Sequence, residues 1–205
     1  MIQNLYLDHA ILLILASSLL SILLSWLSIK VAPEIGLMDI PGSADHKNHS
    51  NPIPLTGGIV LIDLLLIMVL ITGLWKDPKI LGVLLSGVVI SIFGLLDDFL
   101  DLSPLKKFMG QILASICLIY FGIQINFFSS PEFFYHTESN LDFWLNLLFT
   151  IFWLTTLTNA FNFIDSIDGL AIGLSGLSIV FFLFISIISG QFIILNLCSI
   201  LLGAC

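Results

Sequence analysis

Seven stretches of this chain are long, apolar and almost free of charge, and nearly all of its ionisable residues are confined to the gaps between them. The stretches run over residues 10–29, 58–75, 80–96, 108–128, 143–160, 170–189 and 191–205, and the first contains no charged residue. A helix that crosses a bilayer needs about 20 consecutive apolar residues. Soluble domains carry about 25% charged residues, whereas here the share is 10%, with 58% hydrophobic residues and a mean hydropathy of +1.12. The fold class expected is therefore all-α: a polytopic transmembrane helical bundle, one domain over 1–205 with about seven helices. Residues 1–9 lack a positive n-region, so 10–29 reads as a retained first helix and not a cleaved signal. The last segment is shorter than a span requires, and the expectation is that the sequence is a fragment of a longer protein.

Composition also excludes some functions. The net charge is −8 and all six cations are lysines without a basic stripe, so nucleic acid is not an expected partner. Cys117, Cys198 and Cys205 sit in apolar runs with no metal-ligand spacing and read as small apolar residues. Strict alternation of the helices puts the loops 30–57, 97–107 and 159–169 on one side of the membrane. That side holds Lys30, Lys47, Lys106 and Lys107, against Lys76 and Lys79 on the other. The sign of this bias places the first set of loops in the cytoplasm. Asp8, Glu132, Glu138 and Asp142 fall on the outer side, and Trp26, Trp75 and Trp144 suit interfacial positions.

The cytoplasmic set collects the unusual polar motifs. Gly94-Leu95-Leu96-Asp97-Asp98-Phe99-Leu100-Asp101-Leu102-Ser103-Pro104 ends in Leu105, Lys106 and Lys107. An ionised carboxylate at the bilayer centre costs about 3 kcal/mol on the lenient insertion scale, so three Asp in five residues belong at a helix end. If the helix continued, Asp97 and Asp101 would share a face. Clustered carboxylates repel one another unless a cation intervenes; Lys106, Lys107 and a divalent metal are the candidates. The alternative is a solvated loop that stops helix slippage.

Two further stretches lie on the same side. Residues 39–58 are punctuated by Pro and Gly, which excludes helix until the Thr56-Gly57-Gly58 turn. Lys47 and His49 stand beside that helix start, where backbone N–H groups favour a phosphate; His46 reads as incidental. Asn159, Asn162 and Asp165 are spaced by three, so a helix would carry them as one polar ridge, extended by Asp168. Hard oxygen donors of this kind suit Mg²⁺, although such a ridge also serves as a hydrogen-bonded seam between helices. Asp63 lies inside the second segment and reads as a polar contact within the bundle. Together the motifs point to membrane-embedded, metal-assisted phosphoryl chemistry. A transporter that uses the same acids for ion coupling is the competing reading; it expects acids near mid-helix, as only Asp63 is.

The 94–107 motif with Lys107, the stretch Asn159-Ala160-Phe161-Asn162-Phe163-Ile164-Asp165-Ser166-Ile167-Asp168-Gly169-Leu170, and Lys47-x-His49 followed by Pro52-x-Pro54-x-x-Gly57-Gly58 occur in this order. In these the chain resembles the polyprenyl-phosphate N-acetylhexosamine-1-phosphate transferases of glycosyltransferase family 4, a superfamily that includes phospho-N-acetylmuramoyl-pentapeptide transferase. The resemblance implies an Mg²⁺-dependent enzyme (Mn²⁺ as an alternative) of a bacterial inner membrane, with its active site on the cytoplasmic face. It implies transfer of a sugar 1-phosphate from a UDP-N-acetylhexosamine to undecaprenyl phosphate, releasing UMP. This is the first membrane step of O-antigen, common-antigen or teichoic-acid linkage synthesis; the peptidoglycan enzyme is the alternative. It implies Asp97 and Asp98 as the catalytic pair, and Lys47, His49 and Lys107 as phosphate contacts. Asp165 and Asp168 would bind nucleotide or metal, Asn162 and Asp98 the metal, with Asp101 supporting. A homodimer is compatible with it. Ser166 departs from the family's usual Gly. A later Gly-Asp motif, a His-rich loop and the last helices have no counterpart before Cys205, so the 205-residue polypeptide is expected to lack the activity of a longer parent.

Overall fold

A computed structural model describes residues 2–40, 51–129, 140–165, 167 and 169–205. Among the described residues the α-helices are seven: α1 Ile2–Ile35, α2 Gly57–Thr72, α3 Pro78–Leu100, α4 Pro104–Tyr120, α5 Asn140–Ile164, α6 Leu170–Ser189 and α7 Phe192–Ala204. The protein is a helical membrane protein. Four helical stretches, Tyr6–Ile35, Pro78–Leu100, Leu141–Ile164 and Leu170–Ser189, are long and apolar enough to cross a bilayer, while Gly57–Thr72 and Phe192–Ala204 are shorter. The helices fall into two compact units, one of Met1–Thr72 with Gly169–Cys205 and one of Gly73–Asp168.

In the first unit, α1 packs on α2 and α7, and α7 packs on α6. Small residues allow this: Ser21 Oγ donates to Ala204 O at 3.2 Å, and Gly203 lies directly against Ser17. A short antiparallel pair, β1 Met38–Asp39 with β2 Ile53–Pro54, precedes α2. The apolar pattern gave no sign of it, because two-residue strands have no periodicity to read. Thr56, buried just before α2, donates its hydroxyl to Ser28 Oγ at 3.0 Å and so ties α2's start to α1.

The second unit carries most of the described candidate site residues. Asp77 opens α3: its Oδ1 accepts the N–H groups of Lys79 (2.8 Å) and Ile80 (3.2 Å), with Pro78 in the first turn. Asp101 closes it in a left-handed conformation, φ 47°. The expected loop over 97–107 is thus shorter, and Asp97 and Asp98 belong to the last turn of a helix. Asp101 does not continue that helix, so it does not share Asp97's face in the way a continuous helix would provide. Pro104 then starts α4 after three residues.

α3 and α4 run antiparallel. Gly82, early in α3, faces Phe121 just after α4, and Gly110 in α4 faces Phe93 late in α3; a Cβ at either glycine would collide with the ring opposite. α5 is antiparallel to α4 for a different reason. α4 stops at Tyr120 instead of running to 128, and the extended stretch that follows must find partners for its N–H groups inside an apolar layer. α5 supplies them: Thr150 Oγ1 accepts from Ile125 N at 3.0 Å and Asn146 Oδ1 from Phe128 N at 2.8 Å. Asn146 and Thr150 are consequently almost fully buried, at 2% and 1% exposure. Asp142, expected in an outer loop, lies in the first turn of α5 and is buried too.

The close approach of α3 and α4 gives a test. Gly110→Val should destabilise the protein by about 1–3 kcal/mol through its clash with Phe93. Gly173→Ala in α6, where nothing lies within 4 Å of the new Cβ, should be neutral or gain up to about 1 kcal/mol from helix propensity. Thermal unfolding midpoints in detergent separate the two.

Candidate functional site

Because α3, α4 and α5 alternate in direction, the C-terminal end of α3, the N-terminal end of α4 and the C-terminal end of α5 share one end of the second unit. That end carries Asp97, Asp98 and Asp101, then Lys106 and Lys107, and finally Asn162 and Asp165. Relative depths follow from the cross-helix contacts and a rise of about 1.5 Å per residue. Phe93 faces Gly110, so Asp97 lies about 6 Å beyond that contact and Lys107 about 4.5 Å beyond it, in the same direction. Gln111 faces Asn159, which puts Asn162 about 4.5 Å farther toward the same end. Asp97, Lys107 and Asn162 therefore occupy one layer, and Asp98, Asp101 and Asp165 lie at or beyond it.

Within the layer, Asp97 uses both carboxylate oxygens. Oδ1 accepts the Leu102 N–H at 3.0 Å, and Oδ2 pairs with Lys107 Nζ at 2.8 Å. The side chains are 27% and 41% exposed, so the pair contributes about 0–1 kcal/mol to stability. Its larger effect is geometric: it closes the α3–α4 turn and fixes the ammonium at its mouth. Three Asp at the C-terminal end of α3 are unfavourable for the helix dipole, by about 0.3–1 kcal/mol each. Lys107 and the N-terminus of α4 offset that repulsion from the other strand of the turn. Asp98 and Asp101 are exposed, as are Asn162 and Asp165.

The polar ridge on α5 divides between two uses. Asn159 pairs with Gln111 through a reciprocal amide contact: Asn159 Nδ2 donates to Gln111 Oε1 at 2.8 Å, and Gln111 Nε2 donates to Asn159 Oδ1 at 3.3 Å. Asn159 Nδ2 also donates to Thr155 O at 2.8 Å. Asn159 is thus a seam residue, whereas Asn162 points to an exposed position one turn nearer the end. Gln111 was missed by the sequence reading. The signal available was that it is the one carboxamide in 104–120 and follows Lys107 by four residues, hence on the same helical face.

Lys47, His49 and Asp168, together with Ser166, lie outside the described residues. Asp63 sits in α2 of the first unit and is exposed there. Among the described residues no three His, Cys, Asp or Glu side chains gather as a metal-binding group. The donors at the site end, a carboxylate at Asp98 and a carboxamide at Asn162, are hard oxygens, which fits a partly hydrated Mg²⁺ that shares its shell with phosphates.

Residues 80–205 match the glycosyl transferase family 4 model. The chain belongs to glycosyl transferase family 4. The family segment includes α4, α5 and nearly all of α3, and so every described residue of the site end. A probable undecaprenyl-phosphate N-acetylglucosaminyl 1-phosphate transferase of Bacillus subtilis (strain 168) is 30% identical over 188 residues, 91% of this chain and 51% of the relative. A phospho-N-acetylmuramoyl-pentapeptide-transferase of Prochlorococcus marinus subsp. pastoris is 32% identical over 201 residues, 89% of this chain and 54% of the relative. A decaprenyl-phosphate N-acetylglucosaminephosphotransferase of Mycobacterium leprae is 33% identical over 134 residues, 62% of this chain and 33% of the relative. The chain spans about half the length of the first two of these relatives. No solved structure matches it.

The left-handed turn separates structure from chemistry at Asp101. Asp101→Gly should be neutral or stabilising, because glycine adopts positive φ without strain. Asp101→Val should cost about 1–2 kcal/mol. Unfolding midpoints of the two variants check this, and a destabilised Asp101→Gly protein would show that the carboxylate itself holds the turn.

Proposed function

We propose that the protein acts as a polyprenyl-phosphate N-acetylhexosamine-1-phosphate transferase in a bacterial cytoplasmic membrane, with its site end at the cytoplasmic face. An oxygen of undecaprenyl phosphate forms a bond to the β-phosphorus of a UDP-N-acetylhexosamine. The bond from that phosphorus to the bridging oxygen breaks, and the electron pair leaves with UMP. The observation that supports this most directly is that Asp97, paired with Lys107, and Asn162 lie at one depth at the same end of three alternating helices, inside a segment that belongs to family 4.

The contacts of the described residues support the following roles. Of the expected catalytic pair, Asp97 is held by the Leu102 N–H and by Lys107, which suits it to orienting the ammonium toward a phosphate. Asp98, exposed one residue on, is the acid presented to the reacting groups, and with Asn162 it would hold Mg²⁺ or Mn²⁺. A bound Mg²⁺ supplies charge neutralisation at the phosphates. Lys107 adds a second positive charge from the other side of the turn. Asp165 stands at the exposed end of α5, where the nucleotide is bound together with Asp168. Lys47 and His49, outside the described residues, would contact phosphate by resemblance to the family alone. The site lies at the water boundary because one substrate is soluble and the other has its phosphate at the membrane surface.

The Prochlorococcus relative favours a second reading, in which the donor is UDP-N-acetylmuramoyl-pentapeptide; the chemistry at phosphorus is the same. Membranes containing the complete gene product, given undecaprenyl phosphate and Mg²⁺, should release UMP and place label in the lipid fraction with a radiolabelled UDP-N-acetylhexosamine. Labelling with the pentapeptide donor alone would favour the second reading. Asp98→Asn should lower the rate by about 10²–10⁴-fold, and Lys107→Met by about 10²-fold or more, with little change in folded protein. Unchanged transfer in Asp98→Asn would remove the catalytic assignment.

A further inference from the structure

The Gln111–Asn159 contact lies one helical turn inside the layer that holds Lys107 and Asn162, and it links the helices that carry them. Lys107 and Gln111 are separated by four residues on α4, and Asn159 and Asn162 by three on α5, so each pair shares a helical face. Both members of the contact are only partly exposed, and the carboxamides engage each other head to head. A single hydrogen bond would constrain the rotation of this end of α5 less than two do. Two opposed bonds, with Asn159 also anchored on Thr155 O at 2.8 Å, fix both rotation and register. At the other end of α5 the same helix is held by Asn146 and Thr150. Among the described residues the amide pair is the α4–α5 hydrogen-bonded contact nearest to the site end, and so bears most directly on where Asn162 points relative to Lys107.

We infer that Gln111 and Asn159 are positioning residues: their amide pair sets the rotation of α5 on α4 and so fixes the direction in which Asn162 is presented at the level of the Asp97–Lys107 pair for phosphate and metal binding. This rests on the transferase reading for its kinetic consequence, although the geometric consequence stands by itself. Neither residue touches the reacting atoms. Groups that orient a ligand without contacting the substrate typically matter by about 10–100-fold.

The geometric arm uses the chain with Cys117, Cys198 and Cys205 replaced by alanine and spin labels at Leu105 on α4 and Phe163 on α5, which are 69% and 81% exposed. Pulsed electron–electron resonance should give a narrow distance distribution for the parent and a broadened or shifted one for Gln111→Leu. The reciprocal swap, Gln111→Asn with Asn159→Gln, keeps one long and one short carboxamide and should restore the narrow distribution. The kinetic arm uses the complete gene product with rates expressed per folded molecule. Gln111→Leu and Asn159→Leu should each lower kcat by about 10–100-fold and raise the Mg²⁺ concentration needed for half-maximal rate. The double variant should be no worse than either single one, and the swap should recover most of the loss. Single variants that lose thermal stability but keep kcat within about twofold would mean a structural seam only, and would overturn the inference; the same holds for an unchanged distance distribution. A parent protein without transferase activity would count against the function proposed above, and the distance measurements would still decide the positioning role.

Discussion

In a hydrocarbon layer no water is present to satisfy a stray polar group, and the second unit is built around that constraint. α5 carries several polar side chains on an otherwise apolar helix, and most of the buried or half-buried ones have a defined partner. Thr150, Thr155 and Thr158 return their hydroxyls to carbonyls four residues back. The two asparagines that reach sideways, Asn146 and Asn159, meet the 128–129 stretch and α4 respectively. They are about 20 Å apart along the helix, so they fasten it at both ends. Among the described residues no buried side-chain polar atom lacks a partner. Polar residues that would be liabilities in an oil-like core therefore determine how α5 aligns on α4, which apolar packing between lipid-like surfaces specifies poorly.

Electrostatics then sets what happens at the exposed end. Carboxylates at a helix C-terminus oppose the helix dipole, and three of them close together repel one another. A sequence selected for stability alone would place lysines there. The turn instead keeps the acids and brings the Lys107 ammonium back across it to pair with Asp97. A local rule broken in this way, with only partial compensation nearby, is the pattern expected of a binding site. It also argues against ion coupling in mid-membrane, since the acids of the second unit's site end lie at helix termini.

Much of this was legible in the sequence because the strongest signals are chemical and local. Asp77-Pro78 as a helix start, Pro104 as another, and a polar ridge at spacing three on an apolar rod all follow from residue type and order. What was not legible depends on partners distant in sequence. That α4 ends at Tyr120 was not read from 108–128, which is apolar apart from Gln111, Ser115, Gln124 and Asn126; the ending is made tolerable by Thr150 and Asn146. The two-residue β pair and the burial of Asp142 have the same origin. Helix limits at the water boundary were also read too short, because hydropathy falls at Asp97 and Asn159 while helical hydrogen bonding continues past both.

The two asparagines of the ridge make the general point. Asn159 and Asn162 have identical side chains three residues apart on one helix, and sequence alone treats them alike. Depth separates them. At the level of Asn159 the neighbouring helix offers Gln111, and a carboxamide left unpaired there would cost about 1–3 kcal/mol, so pairing with the neighbour is the stable state. One turn farther out the neighbouring positions are the charged turn and water, and Asn162 can keep its oxygen available for a ligand. The inner amide holds the helix so that the outer one is presented in a fixed direction. A recognition site at the mouth of a membrane bundle thus depends on a non-reacting residue beneath it, and the division of labour follows from where water ends.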